Sequence, residues 1–197
     1  MALMEVNFFS KALMRPVTMN VILPVDKVFF GEETEEENKP FKTLYLLHGV
    51  MGNYTDWVTG TCIKRWAEEK NLAVVMPSGA NMFYMDHPNA NENYSEFIGK
   101  ELVKITRRMF PLSHKKEDTF IAGLSMGGYG AIRNGLKYHD TFGYIAGLSS
   151  AMILEKWGQQ MTVLLCSLRK KAFWRMYLEI CPGSKTVRSI RNGLPKI

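Results

Sequence analysis

Residues 123–127 read Gly-Leu-Ser-Met-Gly. This Gly-x-Ser-x-Gly pattern points to nucleophilic chemistry: a serine on a sharp turn between a strand and a helix exposes its hydroxyl for attack on a carbonyl. So tight a turn strains the serine backbone and leaves no space beside it, which is why Gly123 and Gly127 flank Ser125 and Gly128 adds room. The hydroxyl would stand by the N-terminus of the following helix, whose partial positive charge favours a developing oxyanion. A second stretch, His48-Gly49-Val50-Met51-Gly52, can turn backbone N–H groups toward that serine. An amide from this loop and the amide of Met126, next after the nucleophile, would make the two halves of an oxyanion hole. The competing structural reading is that Ser125 only caps a helix and the glycines only turn the chain.

Such residues need a sheet to hold them. Residues 6–9 and 17–23 are rich in β-branched and aromatic side chains and stop at turn formers or Pro24, so both read as strands. Residues 31–39 (GEETEEENK) form a solvated acidic loop. Residues 43–47 (TLYLL) are a buried strand ending at His48-Gly49, 57–70 a helix, and 72–76 (LAVVM) a strand halted by Pro77. Asn93 with Glu96 three residues on suggests a helix N-cap pair, followed by Ile98, Leu102, Ile105 and Met109 at helical spacing and by Pro111. Residues 119–122 (TFIA) read as a strand, 127–138 as a helix and 144–148 (YIAGL) as a strand, so the serine turn falls where the motif requires it. The alternation predicts an α/β fold, a doubly wound, mostly parallel sheet with helices on both faces.

Composition supports one packed domain. The chain has 197 residues, 46% hydrophobic and 22% charged, which excludes disordered and collagen-like classes. Its longest charge-free stretches, such as 142–154, fall short of the ~18 apolar residues of a membrane span. Glu5 comes early and no apolar block follows a basic start, so no secretory signal is read and a cytoplasmic address is the default. Cys62, Cys166 and Cys181 lack metal-ligand or disulfide spacing and are expected to be packing residues, with no metal site. The net charge of +6 is localised: residues 161–197 carry +7 and the first 160 carry −1, so a nucleic-acid-binding domain is not expected.

Tyr45-Leu46-Leu47-His48-Gly49, Gly52-Asn53, Trp57 and Thr119 to Gly130 (TFIAGLSMGGYG) resemble the intracellular tributyrin esterases and the wider esterase D and S-formylglutathione hydrolase group of α/β-hydrolases. The resemblance runs from about Met1 to Ala151. It implies Ser125 as nucleophile, the amides of Val50 and Met126 as oxyanion hole, short-chain acyl esters as substrates and no metal or organic cofactor. It also implies a place for Gly49, Tyr84 and Asp86 near the substrate, since Tyr84 and Asp86 match a segment reading Trp-Tyr-x-Asp in which Phe83 replaces the tryptophan. Related enzymes accept S-formylglutathione or transfer acyl groups.

One part of the family pattern is not matched. A triad in the order Ser, acid, His places both partners after the nucleophile, and His139 is the one histidine there. At about 1.5 Å per residue along the intervening helix it lies on the order of 20 Å from Ser125, so with Asp140 it reads as a polar helix end. His114 reads as a surface residue, His48 as loop-shaping, and His87 as a base only if the chain order is broken. The expectation is therefore a core over 1–160 without its C-terminal strands, and a basic, atypical segment over 161–197, explained by truncation, frameshift or a divergent cap. Residues 164–177 could form a basic amphipathic helix. An exposed parallel edge would tend to aggregate or pair with another copy as a homo-oligomer. The alternative class is a non-catalytic remnant or binding module.

Overall fold

A computed structural model describes residues 1–26 and 39–151. Most of the acidic loop, the basic segment with Cys166 and Cys181, and residues 164–177 lie outside the described residues.

Six strands form one sheet in the order β1-β2-β4-β3-β7-β8. β1 (Ala2–Ser10) and β2 (Arg15–Leu23) make an antiparallel hairpin at one edge, and β2 pairs antiparallel with β4 (Leu72–Pro77). From β4 onward β3 (Lys42–Leu47), β7 (Thr119–Leu124) and β8 (Tyr144–Leu148) are all parallel. The sheet is thus mixed and mostly parallel, as expected of the α/β arrangement. The antiparallel edge follows from β1 and β2 being joined by a turn too short for a crossover.

The period-two alternation of side chains sorts the strands' residues between two faces. Tyr45, Leu47, Val75 and Ile121 join a core cluster with Phe97, Ile98 and Leu102. Leu44, Leu46, Val74 and Met76 are equally buried on the other face, where α2 (Ile63–Glu69) packs on β2 and β4. β1 is buried on one side only: Met4, Val6 and Phe8 pack against the cluster while Leu3 and Phe9 are exposed. Tyr45 ties sheet to helix, its hydroxyl 2.8 Å from Thr106 Oγ1; burial pushes its pKa up to about 12.

The helix expected over 57–70 is two short helices, α1 (Asp56–Gly60) and α2. Thr61 divides them: its hydroxyl donates to the Trp57 carbonyl and accepts from the Ile63 N–H, offering the backbone an alternative to helical bonding. Cys62 at this break is exposed, which corrects its reading as a packing residue.

Between β4 and β7 come a small hairpin, β5 (Asp86–His87) with β6 (Glu92–Asn93), then α3 (Tyr94–Glu96), a π-helical turn (Phe97–Glu101) and α4 (Leu102–Met109). The π turn inserts a residue where a Cβ on Gly99 would strike the ring of Tyr138. It also rotates the buried face: Ile98 and Leu102 are enclosed as expected, but Val103 and Thr106 continue the stripe while Met109 is exposed. Asn93 precedes α3 without making a side-chain cap, and the Glu96 N–H is taken by Asp86 Oδ1 at 3.0 Å. α5 (Met126–Lys137) links β7 to β8 and packs on β3, β7 and β8. No helix among the described residues is long and apolar enough to cross a membrane.

Candidate active site

One residue, Ser125, separates β7 from α5. Its backbone sits at φ 55° and ψ −113°, a strained conformation for a side-chain-bearing residue. Neighbouring backbone holds it there: the Ser125 N–H donates to the Leu148 carbonyl at 2.8 Å, and its own carbonyl accepts from Tyr129 and Ala151, both at 3.0 Å. The flanking glycines are required by backbone packed on backbone. A Cβ on Gly123 would collide with the Gly127 carbonyl, and one on Gly127 would lie 2.5 Å from the His48 carbonyl oxygen. At Gly128 the space is taken by the Ser150 hydroxyl at 2.6 Å and, less tightly, by the Leu148 carbonyl oxygen at 3.0 Å. The Ser125 side chain makes no helix-capping hydrogen bond, so the reading of this serine as a simple cap fails. The Met126 amide, in the first turn of α5, has no helical carbonyl before it to accept its proton.

The second loop leaves β3 at Leu47 and meets the elbow at Gly49. A Cβ built there would be 3.7 Å from Ser125 Cβ and 3.6 Å from the Leu124 carbonyl oxygen. Gly52 N–H donates to the Gly49 carbonyl at 3.2 Å, closing a turn with Met51 at φ 63°. The Val50 amide lies inside this turn and makes no hydrogen bond with the described backbone; the Val50 and Met51 side chains are exposed.

His48 shapes the loop. It is 1% exposed, and its Nε2 accepts the Gly79 N–H at 2.8 Å. An accepting Nε2 is unprotonated, so Nδ1 carries the proton and donates to the Gly49 carbonyl at 2.7 Å. Burial drives the His48 pKa below its ordinary value, against the opposing pull of the Gly49 carbonyl and of Asp56, so the ring is a neutral strut with both nitrogens occupied. Further ties run to the loop after β4: Met51 N–H to Asn81 Oδ1 at 2.7 Å and Tyr54 N–H to Ser78 Oγ at 3.3 Å. Asn81 was not singled out in the sequence; the loop signal Pro77-Ser78-Gly79 beside β3 marks the region but not the residue.

Tyr84 and Asp86 are tied to neighbouring elements by their side chains. Tyr84 is fully buried, with its hydroxyl donating to the His48 carbonyl at 3.1 Å. Asp86 pairs with Lys137 Nζ at 2.9 Å and accepts the Glu96 amide. Partial burial works to raise its pKa, but Lys137 and the amide outweigh burial and the net shift is downward. His114 and His139 are exposed, the latter 3.4 Å from Asp140 at the helix end as expected, and His87 lies in the β5–β6 hairpin. Among the described residues no histidine is hydrogen-bonded to Ser125, and no cluster of metal-ligating side chains occurs.

The esterase family model matches residues 10–189, well into the basic segment. An acetyl esterase of Caldicellulosiruptor saccharolyticus is 49% identical over 156 residues, covering 79% of this chain and 59% of the relative. An S-formylglutathione hydrolase of Staphylococcus aureus superposes with a TM-score of 0.65 at 38% identity, covering 76% of this chain and 57% of that one. A fluorophosphonate-binding serine hydrolase of the same organism gives 0.67 at 36% identity, with 80% and 62% covered. The chain therefore spans about three fifths of the length of these relatives. With the strained serine, the glycine-packed turn and the adjacent amide loop in place, the match over residues 10–189 means that this chain belongs to the esterase family.

Proposed function

We propose that the chain carries the nucleophile and oxyanion-binding half of a carboxylic ester hydrolase acting on short-chain acyl esters. The observation that carries this reading is Ser125 at φ 55° between β7 and α5, its hydroxyl unspent on capping, directly against Gly49 of the amide-bearing loop. Ser125 Oγ bonds to the carbonyl carbon as its O–H bond breaks and the proton passes to water or added imidazole, which returns it to the departing alcohol, while the carbonyl oxygen takes up negative charge facing the Val50 and Met126 amides. Collapse of that adduct breaks the ester C–O bond and releases the alcohol, which takes a proton. Water then adds to the acyl-serine and releases the acid.

The four histidines of this chain are His48, His87, His114 and His139, and His48 has both nitrogens engaged. None of the four is hydrogen-bonded to Ser125, and the oxyanion hole and binding alone leave about 10³ to 10⁴ of rate enhancement over water. The expected behaviour is slow hydrolysis of p-nitrophenyl acetate, accelerated by added imidazole and abolished in Ser125→Ala. A rate unchanged by that substitution would return the chain to the class of non-catalytic binding modules. The likeness to an S-formylglutathione hydrolase favours thioester cleavage as the second reading, separated by comparing S-formylglutathione and p-nitrophenyl acetate and by adding alcohol acceptors.

A further inference from the structure

The two oxyanion amides belong to different elements, Met126 to α5 and Val50 to the loop after β3, and nothing covalent fixes their separation. Tyr84 touches both elements. Its hydroxyl donates to the His48 carbonyl at 3.1 Å and its ring stands edge-on to the His48 imidazole, with centroids 5.9 Å apart. On the other side its backbone carbonyl accepts from Asn134 Nδ2 of α5 at 3.0 Å, and a Cβ on Gly130 of α5 would lie 2.5 Å from its ring. Gly79, whose N–H holds His48 Nε2, likewise has no room for a side chain, since a Cβ there would lie 2.2 Å from the Tyr84 ring.

The His48 carbonyl belongs to the peptide that launches Gly49 toward Ser125, so a donor on that oxygen fixes the plane from which the Val50 turn departs. The backbone is strained to achieve this: Phe83 and Tyr84 both sit at positive φ, 50° and 56°. Bulky residues persist there only when their surroundings over-determine them.

We propose that Tyr84 is the positioning residue that sets the spacing of the two oxyanion donors, acting through the His48 carbonyl and α5. The proposal rests on the ester-hydrolase reading above. Small displacements of such donors are costly to rate, and a shift of about 1 Å can cost on the order of 100-fold. The test is the rate at which a fluorophosphonate modifies Ser125 in the full chain at fixed imidazole, in Tyr84→Phe and in protein with 2,3-difluorotyrosine at position 84, a stronger O–H donor of nearly the same shape.

The expected result is labelling slowed about tenfold or more in Tyr84→Phe, with reagent saturation unchanged, and a rate in the fluorinated protein that departs from that of the unmodified chain. A packing role alone would not follow donor strength. Equal rates in a folded Tyr84→Phe overturn the proposal while leaving the ester-hydrolase reading intact. Should Tyr84→Phe not fold, a fluorinated protein labelled at the unmodified rate overturns it instead. Absence of labelling in the unsubstituted chain removes both readings.

Discussion

At the end of β7 one residue separates strand from helix, whereas at the end of β3 eight residues, 48–55, intervene before α1 begins. Under the proposed function each exit supplies one of the two oxyanion amides, Met126 from the first and Val50 from the second. The first does so with secondary structure alone: α5 starts where it must, and Met126 is in its first turn because Gly123 and Gly127 let helix backbone lie on strand backbone. The second has no helix to aim it and relies on its own His48, bonded to Gly79, and on Ser78, Asn81 and Tyr84 reaching from the segment after β4. One half of the candidate oxyanion hole is therefore built into the fold and the other is held in place by hydrogen bonds, so the two should break differently.

The largest effect is expected at the first exit. In Gly127→Ala the new methyl meets the carbonyls of Leu47 and His48, neither of which can move without moving β3; a loss of about 3 kcal/mol or more in urea unfolding is predicted. At the second exit His48→Gln comes next. It disturbs a buried acceptor for Gly79 and a donor to Gly49, at a cost of about 2 kcal/mol, with slower labelling of Ser125.

The same histidine gives the comparison a pH signature. Its pKa is depressed in the fold from an ordinary 6.5, mainly by burial. Above that value His48 is neutral in both folded and unfolded chains and costs nothing. Below it the unfolded chain takes up a proton that the fold excludes, so stability falls until the folded pKa is passed. Asp86, held below its ordinary 3.8 beside Lys137, and Asp118, held below it by the Ser113 hydroxyl at 2.8 Å and by Lys42, act in a separate window, losing their contribution only as pH falls below that value. Unfolding midpoints measured between about pH 7 and 4.5 should therefore decline in the unsubstituted protein and flatten in His48→Gln.

These expectations bear on what a sequence can reveal. The strands were legible because each is an apolar run closed by a turn former: 43–47 before His48-Gly49, 72–76 before Pro77, and 144–148, found with the expected bounds. The elbow was legible for the related reason that glycine spacing records backbone contact. What escaped was set by distant side chains. The π turn answers to Tyr138, far along the chain from Gly99. The split of 57–70 answers to a hydroxyl on Thr61 that composition does not distinguish from any other threonine. Tyr84 lies in the segment that the resemblance puts near the substrate, and its interior position follows from Gly79 and Gly130, whose missing side chains leave space for its ring.

Two smaller effects sharpen the contrast. Asn81→Ala removes a hydrogen bond from an exposed amide and should cost about 0.5–1 kcal/mol, yet slow Ser125 labelling, because Met51 loses the contact that holds it at φ 63°. Gly49→Ala adds a methyl at ordinary van der Waals distance from Leu124 and Ser125, so unfolding should shift by no more than about 0.5 kcal/mol. The near-silence of Gly49→Ala beside the damage from Gly127→Ala would establish that only one exit depends on backbone packed on backbone.

The most direct test of the account is the mass of the full chain after exposure to a fluorophosphonate with imidazole supplied as external base, followed by peptide mapping. A single adduct on Ser125, absent in Ser125→Ala, is the predicted result. No adduct at all, or one that survives in Ser125→Ala, would contradict the claim that this serine is a nucleophile facing an oxyanion hole.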